Sequence, residues 1–152
     1  MVSVIACSLA LALQRPPNIV YIMADDLGYG ELGCYGQQKI PTPNIDRLAK
    51  EGVKFTRFYS PSPVCAPTRY SLMTGRHQGH ANIRGNTEKG GFGPNDPEGQ
   101  FPIPKTDTTI AEVLKKAGYQ TGIVGKWGLG GPEPGETPMD HGFDFFYGYL
   151  CQ

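Results

Sequence analysis

Short runs of β-branched and aromatic residues alternate with capped helical segments along this chain. That alternation limits the possible folds more than any other feature. Residues 18–23 (NIVYIM) form the first run. It lacks polar alternation, so it reads as a strand covered on both faces, as in a parallel sheet. A helix follows over residues 42–51: Thr42 is a good N-cap, Pro43 suits the first helical position, and Gly52 suits a left-handed stop. Ile45, Leu48 and Ala49 give that helix a one-sided apolar stripe. Residues 53–59 read as a second strand, residues 60–67 as a proline-rich loop, and residues 68–74 as a helix stopped by Gly75. Asp107 or Thr108 caps a third helix that runs to about Ala117 and stops at Gly118. Its apolar residues Ile110, Val113, Leu114 and Ala117 follow helical spacing. Residues 119–125 (YQTGIVG) are the next strand, and an aromatic stretch with Phe143, Phe145, Phe146, Tyr147 and Tyr149 comes after it. The order predicts an α/β fold with a mostly parallel sheet flanked by helices.

In such folds the working site lies beyond the carboxyl ends of the strands. Asp25 and Asp26 follow the first run and Lys126 follows the last, which groups them on geometric grounds. Adjacent carboxylates supply the hard oxygen ligands that Ca²⁺ or Mg²⁺ prefers, and their repulsion favours a bound cation. The plainer alternative is a turn capped by Asx side chains. The 14 basic and 14 acidic side chains balance, so no global field points to nucleic acid or an acidic membrane. Any anion selectivity must then be local. Glycine (21) and proline (14) are abundant but not periodic, which describes a loop-rich globular chain, with residues 85–104 as a long surface loop or lid.

The most specific segment is Cys65-Ala66-Pro67-Thr68-Arg69, continuing through Leu72-Met73-Thr74-Gly75-Arg76. A cysteine before a short helix sits near the positive end of the helix dipole, and Arg69 lies about one turn further on. The result is a compact anion site holding a reactive side chain. On these grounds alone a thiol nucleophile and a buried or disulfide-bonded cysteine beside a surface arginine are equally good readings.

Cys-x-Pro-x-Arg with a downstream Thr-Gly-Arg resembles the signature of the formylglycine-dependent sulfatases, arylsulfatase-like members of the alkaline-phosphatase-like superfamily. Other blocks fall in the family's order: Asp25-Asp26, Thr42-Pro43-Asn44-Ile45-Asp46-Arg47-Leu48-Ala49, Asn82-Ile83-Arg84-Gly85-Asn86, Gly125-Lys126-Trp127 and Gly142-Phe143-Asp144. The resemblance implies part of a sulfatase domain and a sulfuric ester hydrolase. It implies that a formylglycine-generating enzyme oxidises Cys65 to an aldehyde, which hydrates to a gem-diol. One hydroxyl attacks sulfur and the alcohol leaves; the other collapses to the aldehyde and expels sulfate, which a plain serine ester does not allow. It implies Ca²⁺ held by Asp25, Asp26, the group made from Cys65 and a later Asp-Asn pair. Arg69 is expected to hold the modified side chain and Lys126 to contact the sulfate. The expected partner is a sulfated small molecule or polysaccharide. A phosphate or phosphonate ester hydrolase on the same scaffold and a non-catalytic carbohydrate-binding relative are the alternatives.

The pattern departs from the family in two places. Gly128 stands where many arylsulfatases carry a histidine, and Thr68 stands where serine is commoner. His77 and His80 either line the pocket or pack their own loop. Residues 1–13 are apolar apart from Ser3 and Ser8, with Ala10-Leu11-Ala12 in the small-x-small pattern. Residues 1–14 are therefore expected to be a signal segment or its remnant, implying export to the periplasm or outside, against the alternative of a buried first element. The run is too short to span a bilayer, so no stable membrane insertion is expected. Cys7 would leave with the signal, and Cys34 and Cys151 would remain to pair or to stay thiols. Residues 15–152 are expected to be the amino-terminal part of a longer catalytic domain.

Overall fold

The computed structural model describes residues 16–87 and 100–151. The expected signal segment and most of the expected lid lie outside the described residues. The chain divides into two compact units, Met1–Arg47 and Leu48–Gln152.

The first unit carries two single 3₁₀ turns, Tyr29–Glu31 and Gly33–Tyr35, and the start of helix α1 (Pro43–Glu51). Thr42 and Asp46 organise it. Thr42 Oγ1 accepts from Gly33 N at 2.8 Å, and Asp46 Oδ1 accepts from Cys34 N at 2.6 Å. Thr42 Oγ1 also donates to Asp46 Oδ1 at 3.0 Å, so the start of α1 clamps the second turn. Residues 18–23, expected as a buried strand, are not a strand; Ile19, Val20, Tyr21 and Ile22 are exposed. A parallel strand needs a hydrogen-bonded neighbour, and composition records the preference for a covered pleat without supplying that neighbour.

The second unit holds α2 (Cys65–Thr74), α3 (Ile110–Lys116), β1 (Gly122–Lys126) and β2 (Phe145–Tyr149). Strands β1 and β2 pair in parallel, with Gly122 opposite Phe145 and Lys126 opposite Tyr149. The pairing continues past the strands through Trp127 N to Tyr149 O and Gly128 N to Leu150 O, each 2.9 Å. The fold class is thus α/β with a small parallel sheet. The expected strand at 53–59 is absent, and Val53, Phe55, Phe58 and Tyr59 are exposed. The aromatic stretch, by contrast, is the strand that pairs with β1. Strand β1 starts three residues later than expected: Tyr119 N still donates to Leu114 O at 3.1 Å at the end of α3, and Thr121 N–H donates to Asp144 Oδ2 at 3.0 Å and its hydroxyl to Gly142 O at 2.7 Å.

Helix α3 is capped by Thr109, not by Asp107 or Thr108. Thr109 Oγ1 accepts from Glu112 N, and Glu112 Oε2 accepts from Thr109 N at 2.7 Å, a reciprocal capping box. The Thr109 hydroxyl also donates to His141 O at 2.7 Å, tying the helix start to the turn Pro138–His141. Gly142 follows at φ 93°, and a side chain there would come within 2.6 Å of Glu112 N, so the turn and α3 meet where only glycine fits. The core of this unit is Ala66, Tyr70, Ala81, Ile83, Ile103, Ala111, Trp127, Leu129 and Phe143. Trp127 meets Phe143 edge-on with centroids 6.2 Å apart, lies 5.9 Å from the His141 ring, and donates from Nε1 to Glu136 O at 3.0 Å. Among the described residues no helix is long and apolar enough to cross a membrane.

His141 is 3 % exposed, and burial pushes its imidazole below the usual 6.5 despite the opposing pull of Glu112 and Asp140. The unfolded chain therefore takes up a proton that the folded chain resists between the folded value and 6.5. The neutral ring's contribution to stability is full above that range and is lost as pH falls through it. The melting temperature should drop between pH 7 and pH 5, and His141→Gln should flatten that slope in melts followed by circular dichroism.

Candidate active site

Cys65 is the first residue of α2, and local sequence explains why the helix begins there. Val64 is extended at φ −127°, ψ 160°. Pro67 occupies the third helical position, where its missing N–H costs nothing. The loop before it is laced by hydroxyls: Thr68 Oγ1 donates to Ser62 O at 2.8 Å, Ser60 Oγ donates to the same carbonyl at 2.7 Å, and the two hydroxyls lie 2.9 Å apart. The retained hydroxyl of Thr68 thus holds the approach to Cys65. At the far end Gly75 takes the left-handed conformation and its N–H donates to Ser71 O at 2.8 Å. Ala66, Pro67 and Tyr70 are buried and seat the helix, leaving Cys65 half-buried. Asn86 Oδ1 accepts from Ala66 N at 2.8 Å, closing the helix start from a segment twenty residues away.

Arg69 lies one turn from Cys65, on the same side of the helix. Its Nη1 donates to Lys126 O at 2.5 Å. The structure therefore brings Arg69 to the carboxyl end of β1, where Lys126 is half-buried. Gly128 is buried and continues the backbone pairing, so no side chain stands there. His77 Nδ1 accepts from Gly79 N at 3.1 Å and caps the turn Gln78–His80. Cys34, Cys65 and Cys151 are thiols among the described residues, each half-buried.

Asp25 and Asp26 belong to the first unit, and both are exposed. Asp26 has φ 57°, the one non-glycine residue with positive φ among those described. Aspartate tolerates that conformation better than most residues, yet it carries a backbone cost. Two adjacent, water-accessible carboxylates on a tightly turned segment form a hard-oxygen donor set that suits Ca²⁺.

A polar network around the buried pair Tyr70 and Asp107 connects the signature to the rest of its unit. The Tyr70 hydroxyl donates to Asp107 Oδ2, and Asn82 Nδ2 donates to the same oxygen at 3.0 Å. Arg76 Nη2 pairs with Asp107 Oδ1 at 2.7 Å. Burial, then the bond to Asp107, pushes the Tyr70 hydroxyl above its usual value, so it stays a proton donor.

A family model described as Sulfatase matches residues 17–150. The chain belongs to the sulfatase family. It is 47 % identical over 145 residues to human (Homo sapiens) arylsulfatase A, an alignment covering 95 % of this chain and 27 % of that protein. It is 42 % identical over 142 residues to human N-acetylgalactosamine-6-sulfatase, covering 91 % and 26 % respectively. Among solved structures, the crystal structure of Ps i-CgsB superposes with a TM-score of 0.80 at 38 % identity, covering 91 % of this chain and 29 % of that one. Ps i-CgsB in complex with k-i-k-neocarrahexaose gives 0.73 at 37 % identity, covering 84 % and 27 %. A structure from work on glycosaminoglycan metabolism by Bacteroides thetaiotaomicron gives 0.76 at 39 % identity, covering 90 % and 28 %. The chain spans about a quarter of the length of these relatives.

In this sulfatase chain the sequence offers Cys65, Arg69 and Lys126 as candidate working residues and Asp107 or Thr108 as a helix cap, and gives no role to Tyr70 or to the Asn82 side chain. Only the box Thr109-x-x-Glu112 shows that the cap lies past both Asp107 and Thr108. Asp107→Asn removes the carboxylate that Arg76 and Tyr70 share. It should cost about 2–3 kcal/mol in urea unfolding, less than a wholly buried pair because Arg76 is 43 % exposed. Tyr70→Phe should cost about 1 kcal/mol.

Proposed function

We propose that the protein carrying this chain hydrolyses sulfate esters through a formylglycine made from Cys65, with Ca²⁺ beside it. The observation that carries the reading is the convergence of two predicted working residues: Arg69, one turn after Cys65, donates to the carbonyl of Lys126 at the end of β1. Guanidinium and ammonium groups on short, anchored elements are fixed positive charges. Such charges stabilise negative charge gathering on sulfate without having to reorganise. The helix start adds its dipole to the same field.

Each residue has a distinct task in this reading. The side chain made from Cys65 attacks sulfur and later releases sulfate. Arg69 orients that side chain, and its bond to Lys126 O limits its swing. Lys126 meets the sulfate oxygens. Asp25 and Asp26 would hold Ca²⁺, with the group at position 65 as a further ligand, and the bound ion would polarise a sulfate oxygen. The reading also includes export, supported by the apolar run at residues 1–13, and a catalytic domain extending past this chain, supported by the quarter-length coverage of its relatives. For the natural substrate we favour a sulfated polysaccharide over a small ester. The support is the neocarrahexaose complex of Ps i-CgsB and the glycosaminoglycan setting of the Bacteroides structure.

The test is the full-length protein co-expressed with a formylglycine-generating enzyme. Intact-mass analysis of the Cys65 peptide should show thiol exchanged for aldehyde, and nitrophenyl sulfate should be turned over faster than nitrophenyl phosphate or phosphonate esters. An unmodified thiol, or a preference for the phosphorus esters, would overturn the reading. Cys65→Ser should give no sustained turnover. Asp25→Asn should lower the calcium content measured by elemental analysis, with the melting temperature of the metal-free protein unchanged.

A further inference from the structure

We infer that Asn86 is a working residue of the same site: its oxygen caps α2, and its amide NH₂ donates to the sulfate held at that helix start. The inference rests on the sulfatase reading above. Helix α2 has no cap of its own, because Val64 at the N-cap position makes no side-chain cap bond. Pro67 has no N–H, and Thr68 N reaches back to Val64 O at 3.4 Å. The N–H of Ala66, the residue next to Cys65, is satisfied by Asn86 Oδ1 at 2.8 Å. A side chain from a distant loop therefore does the work that serine or aspartate does at most helix starts.

The chemistry of that bond fixes the amide's orientation. A backbone N–H can only donate, so Asn86 must present oxygen to it. The NH₂ is the other arm of the same planar group, about 2 Å away. Two further donors thus sit at the end of α2 that begins with Cys65, one turn before Arg69. Aspartate would cap the helix as well or better, since its charge suits the dipole. It would also place a full negative charge where sulfate binds. Asparagine provides the acceptor the helix needs and no charge to repel an anion.

Asn86→Asp and Asn86→Ala separate these roles in the full-length protein. Asn86→Asp should melt at or above the wild-type temperature, yet lose roughly tenfold or more in kcat/KM for nitrophenyl sulfate, mainly through KM. Asn86→Ala should lose activity and melt a few degrees lower. Thermal protection by inorganic sulfate over chloride at matched ionic strength should be strong in the wild type and lost in Asn86→Asp. Wild-type turnover and sulfate protection in Asn86→Asp would overturn the inference. So would melting of that variant as low as the alanine one. Sulfate protection can be read whether or not Cys65 has been converted, so an unmodified thiol would count against the formylglycine reading and leave the role of Asn86 separately decidable.

Discussion

The seating of the first turn of α2 is the constraint on which the rest of this arrangement depends. Ala66, Pro67 and Tyr70 bury one side of the helix, and the Arg69 guanidinium binds the carbonyl of Lys126. The two facts together orient the helix so that its start and the carboxyl end of β1 share a neighbourhood. Neither would suffice alone. Apolar burial is non-directional and would permit rotation about the helix axis, whereas a charge-assisted bond to a backbone carbonyl selects one rotation. The Tyr70–Asp107–Arg76 network adds a third hold through Tyr70 itself, so α2 is gripped by apolar contact, by the strand end and by a buried carboxylate.

Elements specified by local chemistry were legible in the sequence. Helix α1 is bounded by Thr42, Pro43 and Gly52 and α2 ends at Gly75, because caps are short-range signals; α3 forms where expected, but it buries Ala111 and leaves Ile110 and Val113 of the expected stripe exposed. The placement of three candidate residues follows from the same kind of signal. Cys65 and Arg69 are one helical turn apart, and Lys126 ends a strand that does form. What failed was strand pairing. Residues 18–23 and 53–59 have the composition of covered strands and are not strands here, while the aromatic run Phe145–Tyr149 is one. Pairing is a property of two segments. Phe145–Tyr149 has β1 beside it, in a register continued through Trp127 and Gly128.

The errors at element boundaries share a different cause. Asp107 is one of two expected caps and Thr121 lies inside an expected strand, and the side chains of both serve partners far away in sequence. Asp107 binds Tyr70 and Arg76, which leaves the cap to Thr109. The Thr121 side chain binds Asp144 and Gly142, just ahead of β1. Local rules assume that a short polar side chain satisfies its own neighbourhood first. A buried polar partner competes successfully when leaving it unpaired costs more than a weaker cap.

Asn86 extends that logic to the site. A helix start that is to hold an anion faces conflicting demands: its orphan N–H groups need acceptors, and acceptors with charge repel the anion. The usual cap lies on the adjacent residue and is often aspartate, which meets the first demand at the expense of the second. Here Pro67 removes one orphan donor, Thr68 turns back to Val64, and a neutral amide takes the N–H of Ala66. The helix end is closed without adding negative charge. The same amide still has its own donors to offer, so the element that stabilises the helix also adds to the field that Arg69 and Lys126 create.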